Sequence, residues 1–327
     1  MTHFAYRGRD EADLDIEVDY VVVGSGAGGA TAAVTLARGG ERVAIVEAGP
    51  YRDPADYPVS VYGAMRDMVD AWGSSFTRGR AYWPIIQASL VGGTTVINSA
   101  ICVRTPDDIF EQWKREHGVD GLRDRVLAAQ DRVEQELFVS EAPPAARGRS
   151  NLLAMAGADA MGFKESHYIR RYVKDCVGAG QCLQGCRKRR KQSTNVNYVP
   201  ETRERGGVIV SCAPVDRVMT EGSRAVGVTG RFVHPHTRGE GTRFRVRAKK
   251  AVVVAASVTH SPLILMRSGI RLPALGKFFR AHPGTGVFGC YDDPVDMNIG
   301  ATQGWASTQF RVDPGLKLET LAIPPEL

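Results

Sequence analysis

The chain has 327 residues, a net charge of +6, 43% hydrophobic and 24% charged residues, the balance of a globular protein with one large α/β domain or two smaller ones. The opening stretch MTHFAYRGRDEADLDIEVD has no apolar core, which argues against a secretory signal, and no apolar run reaches the length of a membrane span. A cytoplasmic, reducing location is therefore expected. The six cysteines (102, 176, 182, 186, 212 and 290) then read as thiols or ligands rather than a disulfide framework.

In chain order, DYVVVG (19–24) reads as a short buried strand, and GAGGATAAVTLARGG carries helical spacing from Ala27 to about Arg38. ERVAIVEAG reads as a second buried strand ending at Glu47, completing a parallel strand–helix–strand unit. Residues 50–90 are rich in Pro, Tyr, Gly and Asp and read as a long, irregular, functional segment. TPDDIFEQWKREHG starts a helix with Thr105 as cap and Pro106 first inside. LRDRVLAAQDRVEQELFV and NLLAMAGADAMG are two further helices. GGVIVSCAPVDRVMTEGSRAVGVTGRFV reads as short strands, FRVRAKKAVVVAAS ends in a buried strand, and SPLILMRSGI is a helix stopped at Gly269. GTGVFGCY, STQFRV and LKLETLAI read as antiparallel strands with no visible sheet partners.

The stretch VVVGSGAGGATAA contains Gly24-x-Gly26-x-x-Gly29 after a strand and at the opening of a helix, with Glu47 at the end of the next strand. That context marks a dinucleotide site. Gly24 permits the tight turn, Gly26 lets a pyrophosphate approach the backbone, and Gly29 lets helix and strand pack. The helix N-terminus offers free N–H groups to phosphate, and Glu47 can accept from ribose hydroxyls. This signature does not separate FAD from NAD.

Four further stretches extend the pattern: GGTTVINSAICVRTP (92–106), EAGP after the second strand, AASVTHSPLILMRSGI (255–270) and GKFFRAHPG (276–284). Together with the glycine motif they resemble the glucose–methanol–choline oxidoreductases over residues 21–323, in family order. The family has Gly where this chain has Ser257 and His260. The resemblance implies an α/β, FAD-binding Rossmann-like three-layer domain with a parallel sheet, plus the start of a substrate domain of helices and antiparallel sheet. It implies a division into 1–110 (FAD-binding, first part), 111–205 (helical, Cys-rich insert), 206–281 (FAD-binding, continued) and 282–327 (incomplete antiparallel domain). It also implies that Gly24, Ser25, Gly26 and Gly29 line the FAD pyrophosphate, and that Glu47 holds the adenosine ribose. Gly93, Thr94, Asn98 and Ala100 approach the pyrophosphate and flavin ring, Val215 meets the adenine, and Ala256 lies near the cofactor. The implied reaction is oxidation of a small-molecule alcohol, a hydride passing from a CH–OH carbon to flavin N5 while a base takes the hydroxyl proton. On its own terms, Asn98 also reads as a turn residue bonding its own backbone.

None of the seven histidines (3, 117, 167, 234, 236, 260 and 282) matches the family's catalytic histidine, which belongs to a later region. The chain is therefore expected to be the first part of a longer flavoenzyme, either a fragment or one half of a split pair whose other half a second chain supplies. His282 is expected to order a turn before Pro283, and His234 and His236 to lie in a hairpin. DCVGAGQCLQGCRKRRKQS (175–193) places Cys176, Cys182 and Cys186 ahead of five basic residues. Three thiols without a nearby His fall short of a zinc site. With Lys and Arg otherwise spread along the chain, no nucleic-acid partner is expected. Two readings stay open: an iron–sulfur cluster in an electron-transfer dehydrogenase subunit, and a structural loop ahead of the K-x-S…Y-x-P stretch at 191–200. A non-catalytic nucleotide-binding fragment is the remaining alternative.

Overall fold

The computed structural model describes residues 2–79 and 82–324. Two compact units emerge, Met1–Ile97 with Ser193–Cys290, and Asn98–Gln192 with Tyr291–Leu327.

The first unit is built on a seven-stranded sheet. Its spatial order is His3–Phe4, Val208–Val210, Val43–Val46, Leu14–Val23, Glu240–Val254, Arg224–Val233 and Val215–Glu221. The first five strands run parallel and the last two join antiparallel. Leu14–Val23 is longer than its sequence signal. Its first half alternates between buried and exposed residues, and its second half, Val21 to Val23, is buried throughout. The alternating half pairs with the outer part of Glu240–Val254. The buried half lies between Val43–Val46 and the inner end of Glu240–Val254, as expected of a strand covered on both faces.

The helix Ala27–Arg38 has the bounds its spacing predicts, and it buries Gly29, Ala30, Ala33, Val34 and Ala37. These small residues let it lie close to the sheet. The helix Ser257–Arg267 begins before the SPLIL signal, because the Ser257 hydroxyl accepts from the His260 N–H (3.4 Å) in its first turn.

The second unit holds the helices Asp107–His117, Arg123–Glu136 and Arg149–Ala160. The first starts after Pro106, and Thr105 is not its cap. The Thr105 hydroxyl instead accepts from the Gln130 side chain at 3.2 Å. Gly118, left-handed at φ 65°, closes this helix.

The carboxy-terminal strands differ from expectation. GTGVFGCY forms no strand and is exposed, and so is the stretch with His282, where no turn forms. Its β-forming residues have no neighbouring strand to bond. Trp305–Ser307 and Leu318–Glu319 are strands, and Ser166–Tyr168 pairs antiparallel with the first of them. The partner that these strands lack in local sequence comes from about 140 residues earlier in the chain. Residues 325–327, the end of AIPPEL, lie outside the described residues. No described helix is long and apolar enough to cross a membrane.

Candidate functional site

The glycine turn sits at the carboxyl ends of the parallel strands. Gly24 donates to the Val46 carbonyl at 2.9 Å and has φ +96°, and a Cβ there would stand 2.4 Å from the Ala255 carbonyl oxygen. A Cβ on Gly29 would stand 2.0 Å from the Gly24 carbonyl oxygen. Both positions exclude any side chain. Gly26 and Gly28 are different, since a Cβ there would meet nothing within 4 Å. Gly26 is the N-cap of a 12-residue helix with no side-chain cap and no acid in its first turn. The helix start is thus bare and uncapped, with orphan N–H groups suited to an anion.

Ser25 ties the turn to its surroundings. Fully buried, it donates from its hydroxyl to Glu47 Oε2 at 2.6 Å and from its N–H to the same oxygen at 3.0 Å. Its Oγ also accepts from the Gly92 N–H at 2.9 Å. Glu47 Oε1 accepts from the Gly49 N–H at 3.0 Å. Burial pushes the Glu47 carboxyl above its usual range, against the pull of the Ser25 and Gly49 bonds.

The second glycine segment packs on the first. A Cβ on Gly93 would lie 2.8 Å from Gly26 Cα, and the Thr94 hydroxyl accepts from the Ala88 N–H at 3.2 Å. Thr194, unassigned from the sequence, reaches the Ser25 carbonyl at 2.9 Å and the Gly92 carbonyl at 3.2 Å. It lies in the 191–200 stretch, but nothing in that stretch foretells a contact with a loop 169 residues away. Ala256 caps the helix Ser257–Arg267, and its Cα would be 3.3 Å from a Cβ on Gly24. Ser257, where the family has Gly, adopts φ 72°. The segment leading to Val215 runs beside Glu47, since Cys212 and Ala213 donate to the Gly49 and Glu47 carbonyls (2.9 and 2.8 Å). Val215 itself is buried, opposite Gly230.

Gly24, Ser25, Gly26, Gly29, Glu47, Gly93, Thr94 and Ala256 are thus drawn together in the first unit, with Val215 two residues beyond Ala213. Asn98 and Ala100 belong to the second. Asn98 Oδ1 accepts from the Ala100 N–H at 2.9 Å, the local turn bond, and from the Tyr172 hydroxyl. Ala100 is fully buried with φ 61°, beside Tyr172 and Val173.

In the second unit Cys176, Cys182 and Cys186 line one cavity of about 20 Å³. Arg171 and Lys191 are buried behind it, 0% and 1% exposed. Arg171 Nη2 donates to Cys182 Sγ at 3.0 Å and to the Ser99 carbonyl at 2.7 Å. Lys191 Nζ donates to the Asn98 and Cys182 carbonyls, each at 2.8 Å. Burial pushes Lys191 down to about 8. The cavity of about 20 Å³ that these cysteines line has no room for a cluster of several iron and sulfide ions. Among the described residues no group of three or more His, Cys, Asp or Glu is placed to hold a metal ion.

The likeness to known proteins agrees with this geometry. A family model described as GMC oxidoreductase matches residues 18–284. An uncharacterized GMC-type oxidoreductase of Mycobacterium tuberculosis is 35% identical over 314 residues, covering 94% of this chain and 48% of that protein. A long-chain-alcohol oxidase of Arabidopsis thaliana is 28% identical over 284 residues, covering 84% of this chain and 37% of the oxidase. Among solved structures, a formate oxidase of Aspergillus oryzae is similar in fold, with TM-score 0.55 and 19% identity over 79% of this chain and 48% of that one. The chain spans about half the length of these relatives or less. The cofactor of this fold is FAD, and the bare helix start beside Glu47 fits it. The chain belongs to the GMC oxidoreductase family.

Proposed function

We propose that the chain is the FAD-binding portion of an oxidoreductase acting on the CH–OH group of an alcohol. The observation that carries this reading is the uncapped helix start, with free space over Gly26 and Gly28. Its N–H groups take the pyrophosphate, and Glu47 takes the adenosine ribose. Ser25 and Thr194 hold the two glycine segments in register, so that little is left to reorganise on binding. Bound FAD supplies the acceptor for the two electrons of alcohol oxidation. The chain's own part is to bind and orient. Gly93 and Thr94 face the pyrophosphate end, and Val215 and Ala256 flank the cofactor.

The donor is a small-molecule alcohol, a reading supported by the name of the Arabidopsis relative. The proton acceptor comes from the part of the family's proteins that this chain does not span. The experiment is to purify the chain, add FAD, remove the excess and look for retained yellow absorbance. Retention at one flavin per chain is expected. A colourless protein that cannot take up FAD overturns the proposal. Alcohol-dependent bleaching of the retained flavin, with and without the portion of a full-length relative that this chain does not span, then separates a binding portion from a complete catalyst.

A further inference from the structure

The second unit contains two buried cations that the flavin chemistry does not use. Arg171 and Lys191 are 0% and 1% exposed, and their hydrogen bonds go to carbonyl oxygens and one sulfur, with no carboxylate among them. A buried charge requires a counter-charge or a full set of hydrogen bonds. The ionisable groups that act on Lys191 are Cys182, Cys186 and Arg171. Anionic charge at this place must therefore come from sulfur.

The geometry singles out Cys182. Its Sγ lies 3.0 Å from Arg171 Nη2, and its carbonyl holds Lys191 Nζ at 2.8 Å. Burial by itself raises this thiol, but Arg171 and then Lys191 outweigh it and hold the group below the ordinary thiol range. Cys176 goes the other way: burial raises it, so it stays a protonated thiol. A second observation is independent of ionisation. Arg171 Nη1 is buried and has no hydrogen-bond partner, so the guanidinium already bonded to Cys182 keeps a spare donor. The cavity of about 20 Å³ lined by all three cysteines has room for roughly one water-sized molecule.

We propose that Cys182 is a thiolate placed to react with hydrogen peroxide, and that Cys176 or Cys186 then resolves the product to a disulfide. The sulfur of Cys182 attacks one peroxide oxygen and the O–O bond breaks. Sulfur is oxidised to the sulfenic level, and the other oxygen leaves as hydroxide and is protonated to water. The new sulfenyl oxygen takes the spare Arg171 donor. The neighbouring thiol next attacks the Cys182 sulfur, the S–S bond forms, the S–O bond breaks, and the oxygen leaves with two protons as water. The thiolate between the two cations is thereby lost, and the loop that depends on it loosens. This inference rests on the cysteine loop alone and stands apart from the flavin reading.

The test uses the intact chain with its own cysteines as internal standards. The protein is treated with limiting hydrogen peroxide in the presence of dimedone, and all six cysteines are followed by peptide mass spectrometry. Cys290 is exposed and reports what exposure alone gives. Cys182, held against Arg171 Nη2, should be labelled about tenfold faster than Cys290. Without dimedone, non-reducing digestion should link Cys182 to Cys176 or Cys186. From about pH 8 to about pH 6 glutathione should lose roughly a hundredfold in rate, and Cys182 distinctly less. Cys290 reacting first, or Cys182 following the glutathione profile, overturns the thiolate. A Cys182 sulfenate that persists without a disulfide overturns the resolving step.

Discussion

The glycine turn of the first unit and the cysteine loop of the second both bury polar groups beneath a bend of backbone, but they balance them differently. Around Ser25 and Glu47 the contacts are neutral N–H and O–H donors on one carboxyl, and the helix start above them is left unpaired. Around Cys182 two cations close on a sulfur and three carbonyls, and Arg171 Nη1 is left as a spare donor. The first arrangement is open toward a large anion. The second is closed on itself, with room only for something small. A Gly- or Cys-rich loop therefore says little until the charges beneath it are known.

The largest effect expected is from Gly29→Ala. Its methyl would stand 2.0 Å from the Gly24 carbonyl oxygen, so the helix and turn must separate, at a cost of about 4 kcal/mol, with FAD binding lost. Urea unfolding and flavin titration read both. Next comes Cys182→Ala, which strips the sulfur from Arg171 and Lys191 and leaves two buried cations facing each other. A loss of about 3 kcal/mol in chemical unfolding is expected, and a loss below about 0.5 kcal/mol would mean the cations are balanced elsewhere.

Glu47→Gln is smaller, about 1–2 kcal/mol, because one of its three donors meets an amide NH₂ in place of an oxygen. It also carries a pH signature. A carboxyl raised by burial holds its proton more readily folded than unfolded. Its contribution to stability therefore falls as pH climbs from the ordinary carboxyl range through the raised value, and is flat above it. The Gln variant should lack that slope, which unfolding at several pH values would reveal.

Glu201→Gln should matter least, about 1 kcal/mol. Arg38 first, and Arg205 after it, hold Glu201, in the helix Tyr198–Glu204, down at about 2, and Arg38 Nη2 lies 2.7 Å away. That contribution is present above the unfolded carboxyl value and is lost only as pH falls toward about 2.

The glycine motif was legible because its demands are local. Gly24 and Gly29 are fixed by backbone contacts within or beside the turn, and the buried run Val21 to Val23 announces its strand. The helix Ala27–Arg38 follows from the same pattern of small residues. The pairing of Ser166–Tyr168 with Trp305–Ser307 was not legible, because three-residue strands carry no periodicity and the partner is remote. GTGVFGCY misled for the converse reason: β-forming residues without a neighbour form no ladder. Nothing in RRY or RKQ marks Arg171 and Lys191 as buried, and only the fold shows them under the cysteine loop. Thr194 and the buried hydroxyl of Ser25 are of the same kind, with roles set by loops far away in sequence.

Gly26→Ala gives the most direct test of the central claim, that the bare helix start is the cofactor's phosphate cradle. A methyl there meets nothing within 4 Å, so unfolding free energy should fall by no more than about 1 kcal/mol, the loss expected when alanine replaces glycine at an N-cap. FAD affinity, measured by quenching of flavin fluorescence, should fall at least about tenfold, because the methyl occupies the space that the pyrophosphate takes. Equal affinity for FAD in the parent chain and the stable Gly26→Ala variant would contradict the account.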